Sequence, residues 1–189
     1  MSDSSETRHG ATVTGAGDQQ QPRPVASSRA ETIHFVLPGS TNALGTLFGG
    51  TVMQWIDEIA SVSAARHAGG ICVTAAVDAL QFLEPIQMGD LVVMKSQVNM
   101  AASTSMEVGV RVEVEDPRTG VRRMTTRAFL TFVAIDGDGK PRRVPPLLVE
   151  TGEESRRQGE AQARRQGRMA SRAGHKTATA TPAGGSATE

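Results

Sequence analysis

The chain has 189 residues, with twenty basic and twenty acidic side chains, five Phe, one Trp and no Tyr. This length supports one compact core, filled here by aliphatic residues and methionine. The balanced charge offers no basic field for nucleic acid or an anionic membrane, and no apolar run approaches the roughly 20 residues that cross a bilayer. We therefore expect no nucleic-acid partner, no membrane partner and a cytoplasmic protein, whose lone Cys72 excludes an internal disulfide.

Composition divides the chain into three parts. Residues 1–28 are rich in Ser, Thr, Gly, Gln and Pro, and we predict a disordered N-terminal tail because so few large apolar side chains cannot offset the entropy of ordering. Residues 29–151 form the predicted folded domain. Residues 152–189 form a charged tail, predicted to be partly helical, as a solvated surface helix, and then disordered.

Within the domain, a β-branched and aromatic stretch predicts a strand at residues 32–37, which ends at a Pro-Gly pair. A helical period follows from residue 50 to about residue 68, and Gly69-Gly70 ends it. Apolar positions on this helix form an arc broad enough for a helix largely covered by protein.

After the helix, the period becomes two. Strands are predicted at residues 71–82, 92–99, 105–115 and 122–135, with turns rich in Asp, Gly and Pro between the later ones. Short connections favour antiparallel pairing, and the one long helix is the available cover for the sheet. The predicted fold class is therefore α+β, an antiparallel sheet against one long helix.

Two adjacent acids on the helix differ in their predicted surroundings. Helical geometry places Asp57 at the border of the apolar arc and Glu58 on the polar side. A partly desolvated carboxylate is more basic and suits proton abstraction or direct attack, although a structural carboxylate fits the pattern equally well.

Gly49 and Gly50 lie where the helix begins, and its free backbone N–H groups there can hold an oxyanion. A tight entry turn is the more frequent reason for such glycines. Asn42, in the preceding loop, can orient a water or a carbonyl, and a turn role is again the commoner one. The dispersed histidines, among them His34 and His67, have no ligand spacing, so no metal is expected.

Taken together, these motifs closely resemble the hot-dog-fold acyl-CoA thioesterases, nearest to the bacterial short-chain YciA-type enzymes and related to the brain-type acyl-CoA hydrolases. The resemblance covers about residues 31–151. Its ordered motifs are residues 37–58 (LPGSTNALGTLFGGTVMQWIDE), 65–70 (ARHAGG), 77–78, 82–86 (FLEPI), 89–90, 104–108 (TSMEV), 139–141 and 144–147.

The resemblance implies a hot-dog domain whose sheet wraps the helix, paired into a homodimer and commonly assembled as a trimer of dimers, a hexamer. It implies hydrolysis of an acyl-CoA substrate without a cofactor, since CoA belongs to the substrate. The family's catalytic aspartate corresponds to Asp57 and its loop asparagine to Asn42, which faces the aspartate of the other domain. Gly49 and Gly50 then polarise the thioester carbonyl.

For the CoA moiety, we expect pantetheine near Thr104 and Ser105, and phosphates at Arg66, Lys95 or Arg111. Family members often carry Gly-Arg just before the TSMEV motif, where this chain has Ala-Ser, so that position supplies no basic contact. Two other functions stay open: a non-catalytic acyl-CoA-binding hot-dog module, and, ranked last, a hot-dog dehydratase or hydratase, which requires a catalytic His.

Overall fold

The structure, a computed structural model, describes residues 21–178, with side chains described to residue 171. One five-stranded sheet and two long helices make up most of it. The elements in chain order are β1 (Arg23–Pro24), α1 (Val25–Ser28), β2 (Ala30–Phe35), a 3-10 turn (Pro38–Ser40), α2 (Gly49–Ala68), β3 (Cys72–Phe82), β4 (Leu91–Ala101), β5 (Ser105–Glu115), β6 (Arg122–Ala134), β7 (Leu147–Leu148) and α3 (Gly152–Ala178).

The main sheet has the strand order β2-β4-β5-β6-β3, and every neighbouring pair is antiparallel. α2 packs on one face, which confirms the predicted α+β hot-dog architecture. Side chains alternate along a strand, so the even-numbered valines and methionines of β4 up to Val98, and those of β5, face α2. Lys95 and Arg111 face away. We call these the helix face and the outer face of the sheet.

Small side chains let α2 lie close against the sheet. Ala60, Ser63 and Ala64 are fully buried on the contact side of the helix. The Ser63 and Ser96 hydroxyls lie 2.6 Å apart, and the Ser96 hydroxyl also donates to the Ile59 carbonyl at 3.0 Å. These bonds satisfy polar groups inside an apolar core and so fix the position of the helix along the sheet. The helix ends where predicted, at Gly69, which adopts a left-handed conformation with φ of 68°.

The packed structure begins earlier than the predicted boundary at residue 29. Arg23 and Pro24 pair in parallel with β7, and the Val25 and Ser28 side chains are buried. The Ser28 hydroxyl accepts a hydrogen bond from the backbone N–H of Val98 on β4. The composition of this short segment is that of a tail, but one buried valine and a few backbone contacts dock it. Residues 1–20 of the predicted tail lie outside the described residues.

Two features of the start of α3 escaped the sequence-based prediction. Thr151 and Glu154 form a capping box, in which the Thr151 hydroxyl accepts from the Glu154 N–H and the Glu154 carboxylate accepts from the Thr151 N–H, both at 3.2 Å. Glu154 is also buried and ion-paired with Arg29 at 3.0 Å. The motif Thr-Gly-Glu-Glu was the available signal for this helix start.

α3 is docked on the outer face of the sheet and is not the solvated helix that its charge pattern predicted. Arg164 donates two hydrogen bonds, at 2.7 and 3.1 Å, to the fully buried Glu107 carboxylate and lies 3.7 Å over the Phe129 ring. One turn further on, Arg168 pairs with Asp78 on β3. Docking through ion pairs explains why the helix lacks an apolar period, since charged side chains occupy the contact positions.

We expect the Arg164→Ala variant to lose about 3 kcal/mol of unfolding free energy, because the buried Glu107 carboxylate is left without its partner. Urea denaturation followed by circular dichroism measures this loss. Arg118→Ala, at a side chain 88% exposed, is the matched control and should change stability by less than about 0.5 kcal/mol. Equal stability of the two variants would contradict the docking role.

His67 lies fully buried at the end of α2. Its Nε2–H donates to the Pro145 carbonyl at 3.0 Å, and Nδ1 has no hydrogen-bond partner. Burial lowers the pKa of His67 below its ordinary 6.5, with a smaller lowering from Arg23 and an opposing rise from the Pro145 hydrogen bond. The folded protein therefore holds this imidazole neutral where the unfolded chain takes up a proton.

Stability should consequently fall as pH drops below 6.5, because protons bind the unfolded chain more readily than the folded one. We expect His67→Gln to remove part of this slope, at most about 1.4 kcal/mol per pH unit. Unfolding free energies at pH 7.5, 6.5 and 5.5 for both proteins measure the difference. Parallel pH profiles would show that His67 does not carry it.

Candidate active site

The N-terminus of α2 is open to solvent. The helix begins at Gly49 after the N-cap residue Phe48, and no side chain caps it. Both Gly49 and Gly50 are exposed, and neither has a positive φ. A Cβ added at Gly50 would meet no atom within 4 Å, whereas at Gly49 it would touch the Phe82 ring at 3.4 Å. Neither backbone conformation requires glycine, which disfavours the explanation of a tight entry turn. The backbone N–H groups at this helix start are therefore accessible to a ligand.

Asp57 lies two turns further along α2 and is bound by a residue that the sequence-based prediction did not single out. The Thr74 hydroxyl, on β3, donates to Asp57 Oδ1 at 2.6 Å. This bond fixes one carboxylate oxygen and leaves the other available. Asp57 is nevertheless exposed, so the expected partial desolvation is not found within a single chain. Glu58, as predicted, faces away, and its carboxylate accepts from Gln54 at 2.9 Å.

Asn42 holds its own loop together. Its Oδ1 accepts from the backbone N–H groups of Leu44 and Thr46, at 2.9 and 3.2 Å, and its Nδ2 donates to the Thr46 hydroxyl at 2.8 Å. These bonds use the acceptor and one of two donor hydrogens, which leaves one N–H free. The loop adjoins the helix start, because the Phe48 N–H donates to the Ser40 carbonyl at 3.1 Å.

The residues predicted to contact CoA fall into separate places. Thr104 and Ser105 lie at the β4–β5 hairpin, whereas Lys95 and Arg111 lie opposite one another on the outer face. Six residues of extended strand separate Ser105 from Arg111, which is about 20 Å. Arg66 lies at the end of α2, where its guanidinium donates to the Arg29 carbonyl. Within one chain, the sheet stands between Lys95 and Arg111 on one side and α2 on the other.

Among the described residues, both edge strands of the sheet, β2 and β3, have one neighbour each and carry exposed apolar side chains, and β3 is the edge beside Asp57. β3 has a single neighbour, β6, and its Val73, Val77 and Phe82 side chains are 43%, 57% and 52% exposed. Such an edge in a soluble domain is a site for strand pairing unless something covers it. Thr74, which binds Asp57, belongs to this strand.

In residues 21–178, no helix is long and apolar enough to span a membrane. Over the same part of the chain, no three His, Cys, Asp or Glu side chains cluster in a way that could hold a metal ion.

Comparison with known proteins shows which family the chain is similar to. The family described as Thioesterase superfamily matches residues 44–121. The uncharacterized acyl-CoA thioester hydrolase YkhA of Bacillus subtilis is 49% identical over 119 residues, which cover 63% of this chain and 69% of YkhA. Mouse acyl-coenzyme A thioesterase 11 is 38% identical over 148 residues, but the match spans only 25% of that longer protein.

Solved structures of acyl-CoA hydrolases are also similar to this chain. The acyl-CoA hydrolase of Staphylococcus aureus, solved with butyryl coenzyme A, coenzyme A and coenzyme A disulfide, matches with a TM-score of 0.78 at 36% identity, covering 83% of this chain and 96% of its own. A hexameric acyl-CoA thioesterase solved in the apo form matches with a TM-score of 0.78 at 43% identity, covering 81% and 98%.

Variants of the S. aureus hydrolase have also been solved, in which alanine replaces an asparagine, an aspartate 15 residues further on, or a threonine 17 residues beyond the aspartate. The sequence matches, the sheet order and the central helix all point to one family. The chain belongs to the Thioesterase superfamily, among its hot-dog acyl-CoA thioester hydrolases.

Proposed function

We propose that the chain hydrolyses acyl-CoA thioesters to the free carboxylic acid and coenzyme A, with Asp57 as the catalytic carboxylate. One observation carries this proposal. Asn42, Asp57 and Thr74 have the same residue types and the same spacing as the three positions replaced in the S. aureus hydrolase, and Thr74 binds Asp57 directly. The names of the relatives favour hydrolysis over a binding module or a dehydratase.

Thr74 acts in this proposal as a positioning residue. Its hydroxyl donates to Asp57 Oδ1 and holds the carboxylate plane, so that the second oxygen can face the reacting atoms. The sequence motifs did not reveal this role, because a threonine in a strand is usually chosen for β propensity.

The chemical step needs only groups of the chain and water. The N–H groups at Gly49 and Gly50 polarise the thioester carbonyl and hold the negative charge that forms on its oxygen. Asp57 accepts a proton from water as the water oxygen bonds to the carbonyl carbon, and the C–S bond then breaks. The proton passes to the departing thiolate, giving CoA and the acid. Direct attack by Asp57, through an anhydride that water cleaves, is equally consistent with this geometry.

The proposed site is completed by a second copy of the chain. Asp57 is exposed in a single chain, and the adjacent β3 edge is apolar and unpaired. Pairing of two β3 edges would cover this surface and bring the partner's loop to the carboxylate. The spare Asn42 N–H would then orient water or the carbonyl across the interface. The hexameric thioesterase among the structural neighbours is consistent with dimers that assemble further.

We expect Asp57→Asn to lower kcat on butyryl-CoA by a hundredfold or more, because the amide cannot take a proton or attack. Thiol release, followed with a thiol reagent, measures the rate. Glu58→Gln is the matched control, one residue away on the solvent side, and should keep wild-type turnover. Thr74→Val should fall between the two. Unchanged turnover in Asp57→Asn would reject the assignment.

A shared site predicts complementation between two inactive variants. Asp57→Asn and Asn42→Ala, co-expressed so that they form mixed dimers at random, should regain about a quarter of wild-type activity, since half of the dimers are mixed and each restores one site. Either variant alone should stay nearly inactive. A mixture as inactive as its parents would show that each site lies within one chain.

A further inference from the structure

We propose that the groove between α3 and the outer face of the sheet binds a ligand carrying two or more adjacent phosphate groups. Its floor contains a row of three cations on neighbouring strands, because Lys95 on β4 lies opposite Arg111 on β5, and Arg111 lies opposite Arg127 on β6. Directly opposed side chains in a sheet are about 5 Å apart, and like charges there are destabilising. A bound polyanion would relieve this repulsion.

The carboxylates nearby do not neutralise the whole row. Glu113, which is buried, binds Arg111 at 2.6 Å and is 3.8 Å from Lys95. Glu31 lies opposite Lys95 at the far end of the row. Among residues 21–171, Arg127 has no ion-pair partner, and its guanidinium contacts the Met124 sulfur at 3.5 Å. The positive charge is therefore least compensated at the Arg127 end.

The helix side of the groove is already neutralised by its own acids. Glu153 pairs with Arg156 at 2.8 Å and with Arg157 at 3.0 Å, and Arg156 also binds Glu160. Arg164 is committed to the buried Glu107. The free donors for an anion thus come from the sheet, while α3 supplies a wall.

The groove has the size and the floor of a small-molecule site. Its volume is about 640 Å³, within the range of pockets that hold ligands of nucleotide size. Asn99, 3% exposed, lines it, and its Oδ1 has no hydrogen-bond partner, which leaves an acceptor for a ligand hydroxyl or amine. Gly109 on β5 leaves room for this side chain, because a Cβ there would lie 2.4 Å from Asn99 Nδ2. Enclosure between helix and sheet favours a small polyphosphate over a folded partner.

Two sources supply this chemistry: the diphosphate of coenzyme A, and a free polyphosphate that is not part of the substrate. Lys95 and Arg111 point away from α2, so a CoA that reaches them would have to extend past the sheet or come from the site of another copy. Binding measured without turnover tests the groove independently of the proposed hydrolysis.

Isothermal titration of the full chain with inorganic tripolyphosphate, and separately with coenzyme A and pantetheine, tests the proposal. We expect tripolyphosphate to bind the wild type, more weakly at high salt, and to bind Arg111→Gln/Arg127→Gln at least tenfold more weakly. Arg127→Gln alone leaves the Arg111–Glu113 ion pair intact and should also weaken tripolyphosphate binding, so it carries the test if the loss of that pair destabilises the double variant. Arg118→Gln, an exposed arginine on the β5–β6 turn, is the control and should bind as the wild type does.

The source of the bound phosphate groups follows from a ratio of two KM values. The first is the KM for acyl-CoA, and the second is the KM for the same acyl group on pantetheine, which has no diphosphate. A higher ratio in the double variant identifies the substrate's own phosphates, and an unchanged ratio with lost tripolyphosphate binding identifies a free ligand. No binding of tripolyphosphate or coenzyme A to the wild type, or equal affinity of the wild type and the double variant, overturns the proposal.

Discussion

The contact between α2 and the helix face of the sheet determines the position of everything else in this chain. Ala60 and Ala64 allow the helix axis to approach the strands, and the Ser63–Ser96 hydroxyl pair fixes its position along them. A larger side chain at these positions would push the helix outward, because a packed core has no free volume to absorb it. This one contact sets both where the helix N-terminus opens and which strand lies beside Asp57.

Different interactions hold the helices on the two faces of the sheet. The helix face is an aliphatic and methionine core, in which burial of apolar area supplies the stabilisation. On the outer face, α3 is held by side chains that carry charge: Arg29 with Glu154, Arg164 with Glu107 and Arg168 with Asp78. Each pair contains a largely buried carboxylate, which makes it costly to break, and such pairs contribute directionality more than net stability. They determine which residues of α3 face the sheet and so shape the groove above Lys95 and Arg111.

The candidate active site is incomplete in one chain. Asp57 accepts a hydrogen bond from Thr74, and no side chain caps the helix N-terminus, yet both stay exposed in residues 21–178 of one chain. Electrostatic catalysis is strongest where water is excluded. In the proposed dimer, a second copy at the β3 edge supplies that exclusion, so this exposed strand links the proposed pairing to the proposed chemistry.

The sequence by itself determined the fold and the local features of the site. The alternation of apolar and polar residues in the later strands and the helical period of α2 can be read directly from neighbouring residues. The glycines at both ends of α2 are local signals as well. The resemblance then supplied the role that we propose for Asp57. The tertiary structure alone decided the bond from Thr74, the docking of α3 and the alignment of Lys95, Arg111 and Arg127. Those contacts join residues far apart in sequence. The row of cations also depends on register shifts at Val98/Met100 and Val112/Glu113, which simple alternation along each strand does not predict.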